Sequence, residues 1–155
     1  MIRFRSNATP RVLAVASGGG HWVQMMRLRP AFASCDVAFA TTPHAAISMV
    51  NPSRLHTYAD ANAQTPAALI MAAFKLLWIV LRERPDVIVS TGAAGGVLAI
   101  LFGRLVGARG LFIDSIANAE TLSLSARLLR RVSAVASQWP DVARRNGVLH
   151  FGSVI

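Results

Sequence analysis

Short apolar runs recur along the chain, separated by longer stretches with helical spacing. Residues 12–16 (VLAVA), 37–40 (VAFA), 87–89 (VIV), 111–113 (LFI) and 134–136 (AVA) are apolar throughout and bounded by Gly, Pro, Asp, Ser or Thr. Strands of continuous rather than alternating hydrophobicity are buried on both faces, as in a parallel sheet covered by helices. Helical spacing marks 21–28, 43–49, 65–84, 95–106, 122–131 and 140–145. Strand and helix therefore alternate, and right-handed crossovers make a doubly wound parallel sheet the expected result. The punctuation agrees. Pro30 closes the first helix, Thr65 and Pro66 open the longest at its N-cap and first helical positions, Pro85 ends it, and Gly107 and Gly110 bracket a later turn. No linker or repeat divides the chain, so the expectation is an α/β fold, a single Rossmann-like domain over residues 1–155.

Composition sharpens this picture. The chain has 155 residues, 54% of them hydrophobic and 15% charged. It is long enough for a full core and too apolar for a disordered segment. Sixteen Lys and Arg against seven Asp and Glu give a formal charge of +9, which favours an anionic partner: phosphate, nucleic acid or anionic lipid. One cysteine, Cys35, excludes an internal disulfide and a cysteine-rich zinc site, and it fits a reducing compartment. The apolar run after Arg3, Arg5 and Arg11 is too short for a signal-peptide core. No metal site is expected, and neither a helix-turn-helix nor an RNA-stacking motif is present, so nucleic acid is not the expected partner.

The stretch 66–81 is almost wholly apolar apart from Lys75 and ends in Arg82-Glu83-Arg84. It falls short of the roughly 20 residues a bilayer span needs, and a central Lys would cost about 2.5–3.5 kcal/mol there. Two readings stay open: a helix partly sunk in the headgroup layer with Lys75, Arg82 and Arg84 reaching phosphates, or a helix packed against sheet and partner.

The candidate chemistry lies at strand ends. Ser17-Gly18-Gly19-Gly20-His21 follows the first strand and leads into a helix. Consecutive glycines let the backbone approach a ligand, and the helix N-terminus offers free N–H groups, so a phosphate or pyrophosphate is the natural guest. The spacing is neither G-x-G-x-x-G, because Val23 stands at the third glycine, nor a P-loop, which demotes ordinary NAD binding and NTP hydrolysis. The alternative is a tight turn without a ligand. His21, at the carboxyl edge where open α/β sheets bind ligands, could accept the proton of an attacking hydroxyl or donate to a phosphate oxygen; otherwise it is a structural hydrogen-bonder. A second turn, Ser90-Thr91-Gly92-Ala93-Ala94-Gly95-Gly96, offers another anion-friendly pocket, or else simply permits close helix packing. Asp114 ends a later strand, where it could orient a sugar hydroxyl or His21, or cap the next helix.

With these residues in view, the chain resembles the family of oligosaccharide and exopolysaccharide biosynthesis proteins. The resemblance rests on Ser17 through Met25 (SGGGHWVQM), Pro85 through Gly92 (PDVIVSTG), Gln138-Trp139-Pro140 and the closing Phe151-Gly152. This family includes the membrane-recruiting subunit of the dolichol-pathway N-acetylglucosaminyltransferase and its bacterial exopolysaccharide counterparts. The wording Trp22-Val23-Gln24 is closer to the bacterial branch, since the dolichol branch more often has Glu at the position of Gln24. The resemblance implies the N-terminal, acceptor-side half of a GT-B glycosyltransferase whose nucleotide-sugar half is a separate donor-binding subunit. It further implies a lipid-linked, polyprenyl-pyrophosphate acceptor faced by Gly18, Gly19, Gly20 and His21. Thr91, Gly92 and Gly95 would line the adjoining turn, and Asp114 with Ser115 would match an acidic-Ser pair. A peripheral location on the cytoplasmic membrane face follows from the same resemblance. The rival expectations are a non-catalytic membrane scaffold and a stand-alone nucleotide-binding module.

Overall fold

The computed structural model describes residues 9–43, 54–61 and 64–154. Six parallel strands form one sheet: β1 (Arg11–Val15), β2 (Asp36–Thr41), β3 (Leu55–Thr57), β4 (Val87–Ser90), β5 (Arg109–Ile113) and β6 (Ala134–Ala136), in the order β3-β2-β1-β4-β5-β6. The α-helices among the described residues are α1 (Gly20–Leu28), α2 (Pro66–Glu83), α3 (Ala93–Gly103), α4 (Leu124–Leu129) and α5 (Pro140–Asn146). The doubly wound α/β sheet expected from the hydrophobic pattern is the observed fold.

β1 shows why its sequence is apolar without a break. Leu13 and Val15 point to one face, where they join Leu76, Ile79, Ile88, Ile100 and Phe112 beneath α2 and α3. Val12, Ala14 and Ala16 point to the other, against Trp22 and Met25 of α1 and Phe39. A central strand with both faces covered has no solvent-facing position.

Several boundaries differ from expectation. β3 was not anticipated: Leu-His-Thr is only partly buried, and its strand character comes from pairing Leu55, His56 and Thr57 with Phe39, Ala40 and Thr41 at the sheet edge. α3 starts at Ala93 rather than 95, because the reversal is completed by Gly92 at φ 149°. Gly110 lies inside β5, not in the turn; a Cβ there would come within 2.6 Å of Ile100 on α3. The helix expected over 43–49 lies outside the described residues apart from Pro43.

Candidate functional site at the carboxyl edge

In this strand order the chain leaves β1 and β4, adjacent in the sheet, toward opposite faces. The crevice between their carboxyl ends is where open α/β sheets receive ligands. The turn after β1 carries Gly18, whose N–H donates to Thr42 Oγ1 at 2.9 Å, and Gly19, whose φ of 69° lies in the left-handed region. Added Cβ atoms at Gly19 and Gly20 would meet nothing within 4 Å. The backbone at Gly19 and Gly20 therefore faces open space at the N-terminus of α1, where a helix end can receive an anion.

The two glycine turns are tied together. Thr91 is fully buried, and its hydroxyl donates to the His21 carbonyl at 2.7 Å. The His21 ring lies on Gly92, where a Cβ would stand 2.3 Å from Nδ1 and Cε1. Gly92 is thus required twice, for its backbone angle and for the room that it leaves the imidazole. His21 Nδ1 is buried and has no hydrogen-bond partner among the described residues. The next residue, Ala93, adopts φ 65°, a left-handed conformation uncommon without glycine and characteristic of strained functional turns.

His21, Gly92 and Ala93 form one wall of a cleft of about 400 Å³. Phe112, Asp114, Ser115, Asn118, Ser123 and Ser125 are among the residues on the other. Of the expected site residues, the structure gathers His21, Gly92, Asp114 and Ser115 here. Thr91 sits behind the wall as a brace, and Gly18, Gly19 and Gly20 form the neighbouring turn. Gly95 lies within the first turn of α3, buried, where its missing Cβ leaves room for the Tyr58 ring, 2.5 Å from where that atom would stand. Gly96 likewise clears Ser90, so both allow α3 to pack closely.

Asp114 is only 2% exposed, and its carboxylate is occupied by the loop that follows it. Oδ1 accepts from Ser115 N at 3.0 Å and Asn118 Nδ2 at 2.9 Å, and Oδ2 accepts from Ser123 N at 2.9 Å. Ser123 in turn caps α4, its Oγ accepting from Ala126 N at 3.0 Å. The carboxylate thus holds the 115–123 segment in place. The Ser115 hydroxyl accepts from Ala117 N at 3.3 Å.

Sequence reasoning missed two glutamines that anchor this edge from behind. Buried Gln24 of α1 donates to the carbonyls of Ile113 and Asp114 at 3.4 and 3.3 Å. Gln138 donates to the same Asp114 carbonyl at 2.9 Å, and its Oε1 accepts from Val154 N. Both lie in quoted motifs, yet their burial alone reveals their role. Tyr58 was also missed. Its hydroxyl is buried without a partner among the described residues, and burial, with the Asp60 carboxylate adding to it, pushes the phenol well above its ordinary range. The ring therefore stays neutral. Among the described residues, no Lys or Arg lines the cleft. Among the described residues, no group of three or more His, Cys, Asp or Glu could hold a metal ion.

The strand order, the switch-point cleft and the paired glycine turns define a Rossmann-like α/β protein matching the N-terminal half of GT-B glycosyltransferases. Among solved structures, MurG of Acinetobacter baumannii matches with a TM-score of 0.70 at 19% identity, over 86% of this chain and 42% of that one. UDP-N-acetylglucosamine 2-epimerase from Rickettsia bellii matches with 0.70 at 10% identity, over 92% and 43%. The lipopolysaccharide outer core galactosyltransferase WaaB matches with 0.64 at 6%, over 88% and 42%. At these identities the likeness is one of fold, and the chain spans less than half the length of each. No curated protein sequence matches the chain. The family model described as "Oligosaccharide biosynthesis protein Alg14 like" matches residues 38–154, and the chain belongs to that family. The family's description is one of oligosaccharide biosynthesis.

Proposed function

We propose that this chain is the acceptor-side subunit of a split GT-B glycosyltransferase. It binds a polyprenyl-pyrophosphate-linked acceptor and works with a separate donor-binding subunit at the cytoplasmic membrane surface. The observation that carries the reading is the open cleft at the β1/β4 switch point, flanked by the N-termini of α1 and α3, in a fold that matches the N-terminal half of GT-B glycosyltransferases. The Gly18–Gly20 turn and the first turn of α3 supply amides and positive dipole ends to the acceptor pyrophosphate. With Nδ1 buried against Gly92, Nε2 is the His21 nitrogen left to meet a ligand. The acceptor hydroxyl oxygen attacks the anomeric carbon of the donor sugar, the bond from that carbon to the nucleoside diphosphate breaks, and the hydroxyl proton passes to His21. Thr91 and Asp114 act as positioning residues, and Ser115 faces the acceptor from the opposite wall.

The test is transfer by the reconstituted pair. His21→Ala should lower kcat by about 10²–10⁴-fold, the usual contribution of a general base, while the pair still assembles. The buried bonds of Asp114 favour a second reading, a non-catalytic scaffold; it requires His21→Ala to leave the rate unchanged.

A further inference from the structure

The wall of the cleft opposite His21 carries polar atoms whose hydrogen-bonding roles are fixed by their neighbours. A carboxylate accepts and does not donate, so the end of the Asn118 amide that meets Asp114 Oδ1 at 2.9 Å is its nitrogen. Asn118 Oδ1 is thereby turned off Asp114. It has no partner among the described residues, and Asn118 is half-buried on the cleft lining. This oxygen can only accept. Its neighbours offer the complementary role. Ser115 Oγ already accepts from Ala117 N at 3.3 Å and Ser123 Oγ from Ala126 N at 3.0 Å, which leaves each hydroxyl a proton to give. Ser125 Oγ, on the same lining, makes no hydrogen bond among the described residues. Both oxygens of the Asp114 carboxylate are occupied by N–H donors.

From this pattern we infer that Asn118 is a specificity-determining residue of the cleft: its Oδ1 takes a hydrogen bond from a hydroxyl or amide N–H on a neutral sugar ring, while the Ser115 and Ser125 hydroxyls donate to neighbouring sugar oxygens. The inference rests on the acceptor-side reading above and names the part of the acceptor that this wall receives. An oxygen that only accepts disfavours phosphate and carboxylate oxygens, which have no proton to offer. The pyrophosphate is therefore left to the glycine turn before α1 and the first turn of α3, where the partners are backbone N–H groups. The sugar is directed to the 115–125 side, between Asn118 and His21. A sugar hydroxyl suits this mixed wall because it donates and accepts at once. A uronic acid does not, since its carboxylate would lose water with no Lys or Arg of the described lining to replace it. The selectivity is built in. The Asn118 amide cannot turn over to offer its nitrogen to an anion without setting its oxygen against Asp114 and depriving that carboxylate of a donor.

The experiment measures equilibrium binding and transfer by the reconstituted pair with short-chain, water-soluble prenyl pyrophosphates carrying glucose, galactose, N-acetylglucosamine or glucuronic acid. The best of the neutral compounds should bind about tenfold or more tightly than the glucuronate. That compound is then made with each hydroxyl in turn replaced by fluorine, and with any acetamido group replaced by an ester, which keeps the size and removes the donor. Replacement at one position should weaken binding about tenfold, the loss expected of one hydrogen bond whose protein partner is left unpaired. In Asn118→Ala, checked for folding by circular dichroism, that penalty should vanish while the penalties at other positions persist; Asn118→Ser serves if the alanine variant does not fold. A merely structural Asn118 would lower the binding of every analogue alike and leave the penalty in place, and that result overturns the inference. So does a series in which no replacement costs affinity, or a glucuronate bound as tightly as the neutral sugars. Failure of the acceptor-side reading looks different. A pair that binds these compounds with the Asn118-dependent penalty yet transfers no sugar to any of them sinks that reading and keeps the assignment, whereas a pair that binds none of them sinks both.

Discussion

A single methyl group at position 92 would meet the His21 ring at 2.3 Å from Nδ1. This residue therefore couples backbone geometry to the candidate chemistry more tightly than any other. Gly92→Ala must either displace the imidazole or shift the turn, on top of the strain of a side chain at φ 149°. A loss of about 1–3 kcal/mol in urea unfolding is expected, together with a drop in transfer by the pair as large as that of His21→Ala. Wild-type transfer by a folded Gly92→Ala protein would show that the position of the ring on Gly92 is irrelevant. At this scale the sequence was partly legible. The glycines and His21 stood out because their types are unusual together at a strand end, whereas Gly95 looked equivalent to Gly92. Only the packing of Tyr58 against Gly95 separates the two.

Among the elements, the loop between β5 and α4 depends most on one residue. Asp114 satisfies three N–H donors with one carboxylate, and two of these, the Asn118 side chain and the Ser123 amide, lie four and nine residues along the chain. Asp114→Ala leaves these donors without their acceptor and should cost about 2–4 kcal/mol. Limited proteolysis should then cut first between residues 115 and 123. A cleavage pattern identical to wild type would mean that the loop is held otherwise. Helix and strand identities were legible because each apolar run met its own punctuation. β3 was not, since two half-buried residues and an exposed one carry no periodic signal and acquire strand geometry from their neighbour β2. The start of α3 was displaced by two residues for a similar reason: Ala93 enters the helix in a conformation that propensity disfavours.

For the whole molecule, the cleft is open and lies in a fold that elsewhere forms one lobe of two. If the donor site belongs to a second subunit, calorimetry should detect no tight binding of nucleotide sugar by the isolated chain and clear binding by the pair, and the isolated chain should not turn over. Tight binding by the chain alone would favour a self-sufficient module. The sequence by itself determined the α/β class, the parallel sheet and the two glycine turns, because burial on both faces and the reversal after a strand impose local residue patterns. Tertiary structure alone decided which of those residues share a cleft. It set His21 on Gly92, turned Asp114 into a loop anchor backed by Gln24 and Gln138, packed Tyr58 against Gly95 and left one face of α2 uncovered. Each of these depends on contacts between segments far apart in the chain, and local pattern carries no record of which distant backbone will fill the space that a glycine leaves.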